Sequence, residues 1–352
     1  MKKRILSLIL IIALLLSSFV ICANAKGLSL SAESAILIDG HSLEVLFEKN
    51  AKQRMPMAST TKIMTALIVL ENCNLSDTFK VDEKAVGTEG SSAYLQKGDK
   101  LSFEAALNAL LLQSANDCAN ALAIEIAGST EAFAALMNEK AAALSLSDTS
   151  FKNPSGLSEE GHYTTAYDLA RLSAVCLENE DFFRIVSTKS ATVKIGDNER
   201  TFVNHNKLLS LYEGAVGVKT GFTKESGRCL VGAAEKNGIR LLSVTLKASS
   251  DWNDHKTMLD FGFSIYREYS LFKENELIFE LPVAGTGSYI TVAPKGEKSV
   301  FLKKGTAVSA KIEAPRLITA PIKKGQIVGI LIFEAEGREI FRTPLLAQTK
   351  VA

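Results

Sequence analysis

Histidine and cysteine are scarce in this chain, and their scarcity narrows the chemistry first. Of 352 residues, 4 are histidine and 5 are cysteine. The cysteines stand far apart at Cys22, Cys73, Cys118, Cys176 and Cys229, with no C-x-x-C pair and no neighbouring histidine, so no metal site is expected. His41, His162, His205 and His255 lie in no G-x-S-x-G setting, so structural roles are expected for all four rather than a Ser-His-Asp arrangement. An excess of either charge is also lacking. The 40 basic and 39 acidic residues leave a net charge of +1, which gives no bias toward polyanions, and no nucleic-acid partner is expected. Internal repeats and low-complexity linkers are absent, which excludes a repeat array. No cofactor-binding pattern is seen.

Only one long apolar run occurs, from Ile5 to about Val20. It follows Lys2, Lys3 and Arg4, precedes Ala23-Asn24-Ala25, and is short for a spanning helix, so it reads as an export leader cleaved after Ala25. Phe19-Val20-Ile21 offers no small residue before Cys22, so lipid attachment is not expected there. Without residues 1–25 the chain carries 37 basic and 39 acidic residues. Export permits disulfides. A chain this long does not need them, and Cys118 and Cys176 lie in apolar helical patterns, so buried free thiols are expected.

The order of patterns suggests the architecture. Ser34–Asn50 reads as two strands around the Asp39-Gly40 turn. Helical spacing follows over Ile63–Leu70, over Phe103–Gly128 with a break at Ser114-Ala115-Asn116, over Thr130–Leu146 and over Thr165–Asn179. Phe151–Leu157 is a loop by its Asn-Pro and Ser-Gly content. Gly214–Ala248 alternates as strands with a hairpin at Asn237-Gly238, and Trp252–Ser270 reads as a helix. Beyond Lys273 only short alternating runs with glycine turns remain. These patterns predict an α/β (α+β) domain over 26–272, in which a helical block is inserted into an antiparallel sheet, and a small all-β sandwich over 273–352.

The stretch "MPMASTTKIMTALIVLEN" places a lysine one helical turn after a serine at the mouth of an apolar helix. A plain structural reading makes Ser59 a helix cap and Lys62 a snorkelling side chain. A second S-x-x-K, Ser270 to Lys273, shows how common the pattern is. Two further patterns follow in order: S-A-N at Ser114–Asn116 and K-T-G at Lys219–Gly221. The ordered set S-x-x-K, S-x-N and K-T-G marks penicillin-interacting serine enzymes. Serine is a poor nucleophile without a base, and a lysine at i+3 can serve only if it is neutral. Burial and a second cation, for which Lys219 is the candidate, would both lower its pKa. Backbone N–H groups at the helix start beneath Ser59 suit a developing oxyanion.

The match is wider than three motifs. "GSSAYLQKGD", "FKNPSGLSEEGHYTTAYDLA", "NHNKLL", "GVKTGFTKESGRCL" and "MLDFGF" resemble the low-molecular-mass penicillin-binding proteins of serine peptidase family S11, the D-alanyl-D-alanine carboxypeptidases. "LITAPIKKGQIVG" is similar to the β domain that follows the catalytic domain in that family. The resemblance implies that Ser59 is acylated, Lys62 takes its proton and Ser114 relays a proton to the leaving D-alanine. It implies that Asn116 binds the substrate amide, Lys219 and Thr220 hold the terminal carboxylate, and Gly221 lets the substrate lie along the strand. The N–H groups of Ser59 and Phe222 would form the oxyanion hole. Implied partners are peptidoglycan stem peptides ending in D-Ala-D-Ala and β-lactam antibiotics as covalent inhibitors.

Two departures carry expectations of their own. S-A-N replaces the S-D-N of class A β-lactamases, which favours the carboxypeptidase over a β-lactamase; a non-catalytic wall-binding protein is the third reading. The arginine that many relatives carry before "LDFGF" is missing from "SSDWNDHK". Asp117 reads as a helix cap, and Tyr94 and Trp252 as packing or groove-wall residues. "PLLAQTKVA" has no large apolar face, so no membrane-lying C-terminal helix is expected, and the protein is expected to be a secreted monomer.

Overall fold

The computed structural model describes residues 27–315 and 318–352. The expected leader lies outside the described residues. β1 (Ser34–Asp39) and β2 (Val45–Lys49) form the first hairpin. A 3-10 turn, Ala58–Thr61, leads into α1 (Lys62–Asn72). The ribbon of β3 (Thr78–Lys80) and β4 (Lys100–Ser102) precedes the helical block: α2 (Phe103–Leu112), α3 (Asn116–Ala127), α4 (Thr130–Ala143), α5 (Ala166–Leu177) and α6 (Glu180–Ser187). The hairpin β5 (Ser190–Ile195) and β6 (Asn198–Val203) follows, then β7 (Ala215–Thr223), β8 (Gly227–Lys236), β9 (Ile239–Ala248) and α7 (Asp251–Ile265).

The main sheet runs β2-β1-β9-β8-β7 and is antiparallel throughout, so the helical block is inserted between its first and last strands as expected. Strand alternation builds two cores from it. Ala35, Leu37 and Leu241 pack with Met258 and Leu259 of α7. Ile36, Ile38, Leu242 and Val244 face the helical block on the other side. A leucine or isoleucine fully buried this way contributes about 1.5–3 kcal/mol. The helices start where short polar side chains cap them: Ser102 accepts from Ala105 N, Ser129 from Ala132 N and Thr165 from Asp168 N. The thiols of Cys73, Cys118, Cys176 and Cys229 are free, as expected, and the last three are buried.

His255 of α7 is fully buried against β9, its Nδ1 2.7 Å from the Ser243 hydroxyl and its Nε2 3.0 Å from that of Thr245. Burial holds its pKa down at about 3. The unfolded chain therefore binds a proton here that the folded chain refuses between about pH 6.5 and 3. Stability is full above pH 6.5 and falls as the pH drops through that window. Urea unfolding at pH 5.0 and pH 7.5 is expected to show that fall, and His255→Gln to shrink the difference by about 2 kcal/mol. An unchanged difference would remove His255 as its source.

One helix boundary differs from expectation. The helix over Trp252–Ser270 stops at Ile265, and Tyr266–Phe272 is β10. Pairing decides the conformation here: β10 runs antiparallel to β13 (Lys298–Lys303), and Tyr266 donates to the Asp39 carboxylate at 2.6 Å. The rest is all-β, as expected. β11 (Phe279–Pro282), β12 (Tyr289–Ala293), β14 (Val308–Glu313), β15 (Ile327–Ala335) and β16 (Arg338–Ala347) form a second antiparallel sheet ordered β11-β12-β16-β15-β14. Its core joins Phe272 of β10 to Phe333 at a ring separation of 5.8 Å, with Ile290, Leu331 and Leu345. Among the described residues no helix is long and apolar enough to cross a membrane.

Candidate active site

Ser59 sits on the 3-10 turn before α1 rather than within the α-helix, so its hydroxyl is not spent as a cap. The turn begins at Ala58 with φ +47°, a left-handed value that costs a non-glycine residue about 1 kcal/mol or more. It carries Ser59 toward β7 and leaves Lys62 as the first residue of α1. Lys62 is fully buried, so it does not snorkel. Its Nζ lies 2.9 Å from Ser59 Oγ and 2.7 Å from Asn116 Oδ1, and it also contacts the Ser155 carbonyl. The second S-x-x-K falls on β10 and the residue after it, where no helical turn brings the lysine back over the serine.

These contacts fix what Lys62 can do. Burial and the nearby charge of Lys219 push its pKa well down, in that order of weight. A neutral amine has two N–H groups and one lone pair. Asn116 Oδ1 and the Ser155 carbonyl can only accept, so they take both N–H groups. The lone pair is left for the Ser59 hydroxyl. The geometry thus turns the lone pair of the amine toward the Ser59 hydroxyl.

The S-A-N triplet falls at the break between α2 and α3, as the sequence suggests. Ser114 adopts φ +64° and lines the same cavity as Ser59. Asn116 is held at its other end by donation to the Glu89 carbonyl at 2.6 Å. Asp117 is not a simple helix cap. Its carboxylate accepts from Ser92 Oγ, Ala93 N and Leu95 N at 2.6–3.0 Å and so pins the loop that supplies Ser91 to the cavity. A buried carboxylate satisfies itself where N–H donors converge, here on a loop more than 20 residues away.

β7 carries K-T-G past the serine turn. A Cβ on Gly221 would lie 3.0 Å from the Ser59 amide nitrogen and 3.1 Å from the Met57 carbonyl, so only glycine leaves this space open. Thr220, Gly221 and Phe222 line the cavity. Lys219 is buried behind the wall, with Nζ donating to the Thr220 carbonyl at 2.9 Å and its pKa lowered by burial to about 7. The cavity measures about 630 Å3 and is also lined by Val203, Asn204, His205, Lys207, Arg228, Asp251 and Trp252. A larger cleft of about 960 Å3 between the β3–β4 ribbon and the β5–β6 hairpin holds no paired nucleophile and base.

Some neighbours were not foreseen. Arg228 of β8 stands in the cavity wall, half exposed, with Nε on Asp251 Oδ1 at 3.0 Å. It brings an arginine to a site whose region before "LDFGF" lacks one. Its place one strand away from K-T-G was visible only as "SGRCL". His205 borders the cavity rather than lying in the core, Trp252 lines the groove as expected, and Tyr94 is 76% exposed and outside it. Among the described residues no cluster could hold a metal ion.

The comparisons agree with this geometry. Residues 21–250 match the family model for D-alanyl-D-alanine carboxypeptidases of peptidase family S11, and residues 266–352 match that for the C-terminal domain of penicillin-binding protein 5. The chain is 36% identical to D-alanyl-D-alanine carboxypeptidase DacF of Bacillus subtilis over 98% of its own length and 94% of that protein. Among solved structures it is similar to D-alanyl-D-alanine carboxypeptidase DacD of Francisella tularensis, with TM-score 0.66, 29% identity and coverage of 94% and 96% of the two chains. It is also similar to the Streptomyces K15 DD-transpeptidase, with TM-score 0.65 and 32% identity over 68% of this chain and all of that one. With the family model spanning most of the chain and a serine–lysine pair at bonding distance in the matched region, the protein belongs to the D-alanyl-D-alanine carboxypeptidases of serine peptidase family S11.

Proposed function

We propose that this carboxypeptidase trims the terminal D-alanine from peptidoglycan stem peptides by way of an acyl-enzyme on Ser59. The observation that carries the assignment is the 2.9 Å contact of Ser59 Oγ with a buried Lys62 whose two N–H groups have other acceptors. Ser59 Oγ bonds to the carbonyl carbon of the penultimate D-alanine and its proton passes to Lys62. The amides of Ser59 and Phe222 receive the oxyanion. Ser114 passes its proton to the departing amine as the C–N bond breaks and takes in return the proton held on Lys62, which leaves Lys62 neutral again. In this reading Asn116 binds the substrate amide with the Nδ2 hydrogen that the Glu89 carbonyl does not take, Thr220 contacts the terminal carboxylate, and Lys219 supports that carboxylate through its charge from behind the wall. Water then attacks the ester and frees Ser59. We further propose that residues 1–25 are a leader, that the protein works outside the cytoplasm as a monomer, and that the catalytic domain spans residues 26–265 and the β domain 266–352, because β10 pairs with β13 and Phe272 packs in the β-domain core.

An intact-mass time course with benzylpenicillin tests the chemistry. A lasting adduct on the wild type, absent in Ser59→Ala, is expected. Rapid loss of penicillin without a lasting adduct would indicate a β-lactamase. Neither adduct nor turnover in a folded protein would indicate a wall-binding protein.

A further inference from the structure

The left-handed turn beneath Ser59 is held by a histidine that the chemistry above does not use. His162 is buried on the loop after Phe151, its ring edge-on to the Phe151 ring at 6.0 Å. Its Nδ1 accepts from the Lys152 amide at 3.0 Å. A backbone N–H can only donate, so Nδ1 carries the lone pair and the ring proton sits on Nε2. Nε2 lies 2.8 Å from Thr61 Oγ1. Thr61 Oγ1 in turn donates to the Ala58 carbonyl at 2.8 Å. The bonds therefore run one way: Nε2–H to Thr61 Oγ1, and Thr61 O–H to Ala58 O. The Ala58 carbonyl rests directly on Gly156, where a Cβ would come within 2.0 Å of it. The same loop offers the Ser155 carbonyl to Lys62.

We infer that His162, in its Nε2–H form, is a positioning residue that acts through Thr61 to hold the strained Ala58–Ser59 turn against the Phe151–Leu157 loop, and so keeps the Ser59 hydroxyl on Lys62. No charge is needed in this role. The inference rests on the reading of Ser59 as the acylated residue. Displacing reacting groups by about 1 Å can cost about 100-fold in rate.

Thr61→Val keeps the shape and removes the relay hydroxyl. Stopped-flow acylation by benzylpenicillin separates the non-covalent dissociation constant from the acylation rate constant. For Thr61→Val the rate constant is expected to fall about 10- to 100-fold with the dissociation constant within twofold, and Thr61→Ser to recover most of the loss. Nitrogen NMR of the labelled wild type at pH 7 is expected to show His162 protonated on Nε2. A normal acylation rate in folded Thr61→Val, a loss confined to binding, or a proton on Nδ1 would overturn the inference. Absence of any wild-type adduct would instead overturn the reading of Ser59.

Discussion

Lys62→Met is expected to slow acylation of Ser59 by about 100- to 10,000-fold while the protein still folds. A positioned general base contributes about that much, and no second base stands at bonding distance from Ser59 Oγ among the described residues. Methionine is unbranched like lysine and one heavy atom shorter, so it fits the fully buried site. Two stability effects oppose each other. Removing the buried amine relieves its desolvation, and leaving Asn116 Oδ1 and the Ser155 carbonyl without a donor costs about 1–3 kcal/mol each. Calorimetry is expected to show a melting shift under about 10 °C. Acylation at the wild-type rate in this variant would exclude Lys62 as the base. Lys62→Arg is expected to be as slow, because a guanidinium stays protonated and cannot take the proton.

Gly221→Ala is expected to act at the opposite wall. The new methyl would stand 3.0 Å from the Ser59 amide nitrogen and 3.1 Å from Ala58 Cβ, in the gap proposed for the acyl oxygen. The contact is tight but not prohibitive, so folding survives with a loss of about 1–3 kcal/mol. The acylation rate is expected to fall about 100- to 1,000-fold, the effect of losing one oxyanion donor. The comparison with Phe222→Ala is informative. That side chain is 67% exposed and its proposed role is its backbone N–H, so the variant should stay within a few-fold of wild type. Equal losses in both variants would place the effect in rim packing rather than in the oxyanion hole.

What the sequence made legible was local or periodic. The S-x-x-K pair is one turn of helix, so its spacing alone puts lysine beside serine. The break at Ser114–Asn116 is written in turn residues between two apolar repeats. The first hairpin is written in the Asp39-Gly40 turn between two apolar runs. What it hid depends on partners far along the chain. His162 meets Thr61 across 101 residues, and Asp117 meets Ala93 across 24. Arg228 enters the cavity because β8 pairs with β7 there, opposite Phe222. The start of β10 was misread because "SIYREYS" suits either period, and pairing with β13 decided between them.

The most direct measurement is D-alanine release from a synthetic N-acylated peptide ending in L-Lys-D-Ala-D-Ala, by the wild type and by Ser59→Ala, with and without prior benzylpenicillin. One D-alanine per peptide from the wild type, none from Ser59→Ala and none after penicillin is the result predicted here. Release that persists in Ser59→Ala, or no release by a folded wild type, would contradict Ser59-dependent carboxypeptidase action.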